Sequence, residues 1–439
     1  MAIALKESEE LYLQHFRDFE ERQAAAAPEW LSDLRSEGMQ AFAEMGFPTT
    51  RLEDWKYCNV APIAGVHFQP ADYELSDGIR RKVNEVSVAG PDRTRLVFLN
   101  GHYVEELSAV GELPKGATVT SLAKAIKQEE AVSAHMGRYA GYKTHPFVAL
   151  NTAFVQDGAF IDVPRGVVLE KPVEVLYVST GSETPWVAHP RNLVIAAQGS
   201  QLTVMETYVA AGDGAYFNNA VTEIVAEDNA HVDYIKLQEE SAEAFHVATV
   251  LAYVARNSGV VTNSIQFGAR LGREELTTVL DGEGAEAYLY GLYVTNGQQL
   301  IDNHTAIDHA QPHCSSREFY KGILDGKSTA VFNGKILVRK DAQKTDSKQS
   351  DKNLLLSESA VIYTKPQLEI FADDVKCTHG ATVGQIDPES IFYLRSRGLG
   401  LEQARSLLIE AFAAEIIHHV KFEPLRGRLK AALLAKMKG

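Results

Sequence analysis

The chain has 439 residues, 45% of them hydrophobic, and a formal net charge of −15 from 43 Lys+Arg against 58 Asp+Glu. That acidic balance argues against a nucleic-acid binder or a polybasic membrane-surface protein, both of which need a positive footprint, and the apolar content excludes wholesale disorder. Three widely separated cysteines, Cys58, Cys314 and Cys377, form no CxxC pair; they make neither a disulfide framework nor a self-contained cysteine-rich cluster site, and they fit a reducing compartment.

No apolar run approaches the ~20 residues that span a bilayer. The start, Met1 to Glu10, lacks a basic stretch followed by a long apolar core and is too acidic for a transit peptide. A soluble cytoplasmic protein, binding neither nucleic acid nor membrane, is the expectation.

In chain order, the first region is helical to about Phe47. Leu11, Phe16 and Phe19 sit among acidic residues, Ala24 to Ala27 favour helix, and Pro28 restarts the chain. Trp30, Leu31, Leu34, Met39, Phe42 and Met45 then recur at helical spacing until Gly46 and Pro48 stop it. From Thr49 to about Ala149 the pattern is mixed: Arg95–Leu99 reads as a strand, Asn100-Gly101 as a tight turn, and Ser121 to Met136 as a helix capped by Ser121.

From about Phe147 to Lys376 the texture is strand after strand, as in Val173–Val178, Leu193–Ala196, Leu202–Met205 and Val221–Val225. Small-residue turns recur at Gly199-Ser200, Asn229-Ala230, Ser258-Gly259 and Gly284-Ala285, at intervals of 30, 29 and 26 residues. A drifting period of this size predicts stacked β-coils, a β-helix, rather than a closed barrel or a sandwich. The boundaries read as 1–146 for a helical and mixed α/β region, 147–384 for the β-helix and 385–439 for a C-terminal helical domain.

That last domain opens with Asp387 as an N-cap, Pro388 at the first helical position and Gly398 past the end. A second helix, from about Leu401 to Val420, carries a double apolar stripe, Leu408, Phe412 and Ile416 beside Ile409, Ala413 and Ile417. The face is wide for a helix touching only its own core; it reads either as a buried helix in a small bundle or as a docking site for another subunit. The tail from Lys421 to Lys438 has six basic residues against Glu423.

Two nucleotide-like motifs fail on context. Gly322-Ile-Leu-Asp-Gly-Lys-Ser328 has three residues between its glycines where a P-loop needs four, and a strand-like Thr329–Phe332 follows in place of a helix. Gly282-Glu-Gly284-Ala-Glu-Ala287 runs into Tyr288–Tyr293, again strand-like. Both read as solenoid turns. A polysaccharide-cleaving β-helix enzyme is disfavoured for want of a signal peptide and a clustered acidic calcium site.

Two constellations carry metal-ligating atoms. His304, Asp308, His309, His313 and Cys314 fall within a short stretch, but alternation on a strand puts His309 and His313 on one face with His304 opposite, and Pro312 interrupts the geometry. In Asp373-Asp374-Val-Lys-Cys377-Thr-His379, Cys377 and His379 share a face if the segment is extended, while Asp373 and Asp374 are placed to steer a cation. The segment lies where strands give way to helices, so no further coil covers it. Two donors do not complete a tetrahedral site; either further ligands come from elsewhere, or the residues are a buried Cys and a capping His.

The stretches Asp308–Cys314, Tyr320–Gly326, Phe332–Lys335, Ala342–Asp346, Asn353–Ser357, Thr364–Ile370, Asp373–Cys377, His379–Gly384 and Phe392–Gly398, with Arg51-Leu-Glu-Asp-Trp-Lys-Tyr57 near the start, resemble the SufB/SufD family of iron–sulfur cluster assembly scaffolds. The likeness covers nearly the whole chain and is of the SufD type, because SufB carries a cysteine in the His379 segment and often has N-terminal CxxC pairs. The resemblance implies a mainly β fold, a right-handed parallel β-helix with an N-terminal α/β region and a C-terminal α-helical domain. It implies a non-enzymatic subunit that pairs with SufB through the β-helix end and binds the SufC ATPase through its C-terminal helices, with Leu408, Phe412 and Ile416 as the docking face. No permanent cofactor is expected: a nascent iron–sulfur cluster is held transiently at the interface, and ATP is hydrolysed on the partner. By position His379 matches the histidine facing the SufB cysteine, a transient metal ligand shared with the partner, and Cys377 the nearby supporting cysteine. Where the family has acids before Thr364 this chain has Ala360-Val-Ile-Tyr363, which leaves Asp373 and Asp374 to admit iron. A homodimer through the same edge is the alternative when the chain is alone.

Overall fold

In the computed structural model, residues 2–23, 27–88, 90, 94–128 and 130–438 are described; the Ala24–Ala26 part of the predicted helical tract lies outside them. Two helices lead, α1 (Ala2–Gln23) and α2 (Glu29–Met45). Tyr12, Phe16 and Phe19 of α1 meet Met39 and Phe42 of α2 in one apolar cluster with Phe47, the amphipathic stripe expected from the spacing. Short elements follow: α3 (Ala61–Ala64), α4 (Asp77–Val86), and strands β1 (Gln69–Pro70), β2 (Thr94–Leu99), β3 (His102–Tyr103) and β4 (Thr118–Ser121). The turn at Asn100-Gly101 has both φ angles positive, 49° and 86°, and β2 and β3 pair antiparallel across it. The helix expected from Ser121 to Met136 is broken into α5 (Leu122–Ala125) and α6 (Glu130–His135), although the Ser121 hydroxyl does accept from the Lys124 N–H. The buried helix α7 (Pro146–Ala153) then leads into the strands.

Seventeen further strands run to Gln385. They are β5 (Ala159–Val163), β6 (Val173–Ser179), β7 (Trp186–Ala188), β8 (Arg191–Ala196), β9 (Gln201–Ala210) and β10 (Tyr216–Ala226). Next come β11 (His231–Glu239), β12 (Phe245–Val254), β13 (Gly259–Gln266), β14 (Leu271–Leu280), β15 (Glu286–Thr295) and β16 (Leu300–His309). The last are β17 (Ser315–Leu324), β18 (Thr329–Val338), β19 (Asp346–Leu355), β20 (Val361–Ile370) and β21 (Lys376–Gln385).

Apart from the short β7, which joins the first sheet beside β1 and β10, successive strands from β5 alternate between two parallel sheets, β5-β8-β10-β12-β14-β16-β18-β20 and β6-β9-β11-β13-β15-β17-β19-β21. Each coil gives one strand to each sheet, so the chain is a β-solenoid of eight coils. Alternate residues of every strand fill the lumen between the sheets, where Val204, Tyr234, Leu276, Leu289, Ile307, Tyr320 and Phe332 belong to one core cluster.

A column of left-handed residues makes the turns from the first sheet to the second: Gly166, Gly199, Asn229, Asn257, Gly284, His313 and Lys344, with φ between 53° and 72°. The backbone N–H of each donates to a carbonyl of the next coil, from Gly166 to Gln198 through to Lys344 and Asp374. This is the repeat seen in the sequence, shifted in one coil: the left-handed position is Asn257, whereas Gly259 opens β13. It also corrects the histidine group. β16 ends at His309, so His309 and His313 share no face: His309 is buried in the lumen against Ser316 at 2.9 Å, His313 is the turn residue, and His304 lies outside, 3.0 Å from Asp302.

The two ends of the solenoid differ. At the N-terminal end β4 and β3 close the sheets by antiparallel pairing. At the other end β20 pairs with β18 and β21 with β19, and no strand of the described residues lies beyond them in either sheet. Helices α8 (Pro388–Ser396), α9 (Leu401–Ile417) and α10 (Glu423–Lys438) follow. Asp387 caps α8 through the Glu389 and Ser390 N–H groups, as expected. No helix among the described residues is long and apolar enough to cross a membrane.

Candidate functional site

The open coil is built from two ten-residue edge strands, β20 and β21, whose outward N–H and C=O groups form a ready template for another strand. Lumen-facing residues of every other coil are sealed by the next; here they form the end face. Ile362, Leu368 and Cys377 are only half-buried against the lumen core. Val361, Tyr363, Ile370, Phe371 and Val383 are exposed, Phe371 to 62%.

Cys377 and His379 sit two apart on β21, stacked in register on Ser347 and Gln349 of β19. The extended backbone thus places both side chains on the lumen line of the uncovered coil. His379 is exposed. Burial pushes the Cys377 thiol pKa up; the Ser347 backbone N–H works against this and Asp346 adds to it. In the chain alone Cys377 is therefore a thiol, and a soft cation is needed to displace its proton. Among the described residues no group of three or more His, Cys, Asp or Glu is placed to hold a metal ion, so the pair offers two donors and leaves the remaining positions open.

Asp373, in the turn before β21, is exposed. Asp374 is engaged: its carboxylate pairs with Lys344, its N–H donates to the Gln343 side chain at 2.9 Å, and its carbonyl ends the turn column.

Of the docking stripe expected on α9, Ile416 is turned to the solenoid. Ile416 is fully buried, with Ile409, Ala413 and Ile417, against Leu237, Ile265, Leu292 and Ile323 on the outer face of the second sheet. Phe412 is half-buried, with the Lys321 ammonium 4.1 Å from its ring centroid, and Leu408 is also half-buried. The wide apolar face is explained by two neighbours, the solenoid and α10. The exposed apolar groups of this domain lie elsewhere: α8 buries no residue, Phe392 is 75% exposed, and Tyr393, Leu401 and Leu407 are also open.

A second structured region, not anticipated from the sequence, ties the N-terminal segment to the first sheet close to the open coil. The buried Arg273 guanidinium lies 3.7 Å over the Trp55 ring, donates to the Asp54 carbonyl at 2.9 Å, and pairs with Glu275 and Asp302. His145 meets Glu275 at 2.6 Å. Tyr57 stacks on Tyr363 at 4.1 Å and 14°, so Tyr363, which stands where an acidic pattern was expected, has a packing role. Cys58 is buried here, far along the chain from Cys377, and burial, then Asp302, push its thiol pKa up. The signal for this latch was present in the Arg51–Tyr57 motif; its partner Arg273, 219 residues from Asp54, was not legible.

Comparison with known proteins adds the family. Residues 177–412 match the model described as SUF system FeS cluster assembly, SufBD core domain, and residues 6–175 match the SufBD protein N-terminal region. An iron–sulfur cluster assembly SufBD family protein of Synechocystis is 34% identical over 412 residues, covering 91% of this chain and 90% of its own. The iron–sulfur cluster assembly protein SufD of Escherichia coli is 33% identical over 403 residues, 91% and 92% of the two chains. The SufD of Bacillus subtilis is 27% identical over 442 residues, 97% and 98% of the two.

Proposed function

The chain belongs to the SufBD family of iron–sulfur cluster assembly proteins, and we propose that it acts as the SufD-type scaffold subunit, pairing with a SufB-type subunit at the open coil and carrying a SufC-type ATPase on its C-terminal helices. The observation that carries this reading is the uncapped last coil, whose edge strand β21 carries Cys377 and His379 on its lumen side. A partner solenoid presenting its own open coil would satisfy the backbone groups of β20 and β21 and cover Val361, Ile370, Phe371 and Val383.

In such a seam His379 supplies an imidazole and Cys377 a thiol that becomes a thiolate on binding iron. The partner completes the ligand set, and iron and sulfur enter as substrates, with Asp373 exposed at the approach. No permanent cofactor is assigned to this chain. The nucleotide chemistry belongs to the ATPase, docked on the exposed Phe392, Tyr393, Leu401 and Leu407, and its movement is transmitted through α9 and α10 to the solenoid.

The test is co-expression with the two partner subunits and mass measurement of the complex. Phe371→Glu combined with Val383→Glu is expected to abolish pairing with the SufB-type subunit while leaving the fold intact; retained pairing refutes the open coil as the interface. A homodimer of the isolated chain that the same pair of changes disperses would show that the edge also serves self-association.

A further inference from the structure

The open coil presents two edges, and the backbone hydrogen bonds fix which groups each one offers. In a strand the N–H and C=O of one residue point to the same side, and successive residues alternate sides. At the start of β20 the Val361 N–H donates to the Ser328 carbonyl at 3.0 Å, and just past its end the Phe371 N–H donates to the Val338 carbonyl at 2.9 Å. The odd-numbered residues of β20 are therefore committed to β18, and Ile362, Thr364, Pro366, Leu368 and Ile370 face the open edge. On β21 the Lys376 N–H donates to the Thr345 carbonyl at 2.8 Å. Its even-numbered residues are committed to β19, and Cys377, His379, Ala381, Val383 and Gln385 face out.

The two edges are not equivalent. β21 offers an unbroken row of N–H donors, whereas β20 has a proline at the middle of its outward positions. Pro366 has no N–H, and its Cδ stands where the hydrogen would be, in the space that the acceptor carbonyl of an added strand must enter. The proline breaks no hydrogen bond inside the chain, because an outward residue has none there to lose.

We propose that Pro366 is a specificity residue of the seam. It bars β20 from serving as a continuous strand template, directs strand addition to β21, and disfavours self-pairing relative to pairing with a subunit whose edges are unbroken. The inference rests on the scaffold reading and adds what the SufB-type partner must offer. Two copies of this chain meeting end to end about a twofold axis bring two prolines into the seam, whichever strands face each other; a partner with unbroken edges meets one. Along β21 the added strand accepts from the N–H groups of Cys377 and His379 themselves, so the ladder that joins the subunits also fixes the thiol and imidazole along the seam. Across β20 the contact falls to side chains, the exposed Val361 and Ile370 and the Tyr57–Tyr363 stack.

Residue-resolved amide exchange tests the edge assignment. In the isolated full-length chain the amides of Cys377, His379, Ala381, Val383 and Gln385 should exchange fast and those of Lys376, Thr378, Gly380, Thr382 and Gly384 slowly. On adding the SufB-type subunit the first set should slow by at least about tenfold, one ladder bond each, while Thr364 and Leu368, on either side of Pro366, change little. Pairing that leaves the first set unchanged overturns the assignment. Ala381→Pro moves the same defect to β21 and is expected to weaken pairing by about tenfold or more, the slow amides of β21 reporting an intact fold, whereas Thr364→Pro only widens the existing gap and should weaken it far less; equal losses also overturn the assignment. Pro366→Ala restores the missing donor and should strengthen self-association of the isolated chain, measured by sedimentation, by about tenfold or more. Self-association equal to wild type overturns the specificity role. Should the subunits not pair at all, the scaffold reading fails, and the Pro366→Ala measurement still decides what the proline does.

Discussion

Replacing Ile416 by Ala separates packing from docking on α9. Ile416 is fully buried among Ile409, Ala413, Leu429 and the outer face of the second sheet. Removing three carbons from such a site loses their transfer free energy and leaves a cavity between two rigid surfaces. The expected cost is about 2–5 kcal/mol, toward the upper part because a helix lying on a sheet does not collapse readily. By contrast Phe392 is 75% exposed, and truncating it and its neighbour Tyr393 should change stability by less than about 0.5 kcal/mol yet weaken binding of the ATPase subunit. Urea unfolding with a matched titration against that subunit reads both. The reasoning is refuted if Ile416→Ala unfolds like wild type but no longer binds, since the stripe would then face a partner rather than the solenoid.

Arg273→Met leaves Asp302 and Glu275 without their buried cation, so a loss of about 3–5 kcal/mol is expected together with faster amide exchange in residues 53–57; unchanged exchange there would show that the latch does not hold the N-terminal segment. Glu318, buried in the lumen, gives a pH dependence of definite sign. Its pKa lies at about 7 in the folded chain against 4.5 ordinarily, so between these values the folded state holds a proton that the unfolded state has lost. Stability should fall by about 3 kcal/mol as pH rises through that window, and Glu318→Gln should remove that slope in urea unfolding; an identical slope contradicts it.

The solenoid was legible because its turns demand left-handed backbone: Gly and Asn recur where only they sit comfortably. The period slipped at Asn257 because the adjacent Ser258-Gly259 mimics the same signal one step later. His313 and Lys344 occupy the column with no such signal, held there by the coil-to-coil hydrogen bonds. The 304–314 histidine group misled because side-chain alternation stops where a strand does, and β16 ends at His309. The α9 stripe was seen correctly as apolar, but periodicity reports that a face is covered, not by what. Cys377 and His379 were legible as a pair, since spacing on a strand survives any register. The Arg273–Trp55 latch depends on a contact between residues far apart in the chain, which the sequence leaves open.

The most direct measurement of the central claim is anaerobic assembly by the full complex containing His379→Ala, followed by visible absorption of the bound cluster. The complex should form with unchanged stoichiometry while cluster absorption falls well below wild type. An intact complex that builds cluster at the wild-type rate and yield would contradict the assignment of the open coil as the place where iron and sulfur meet.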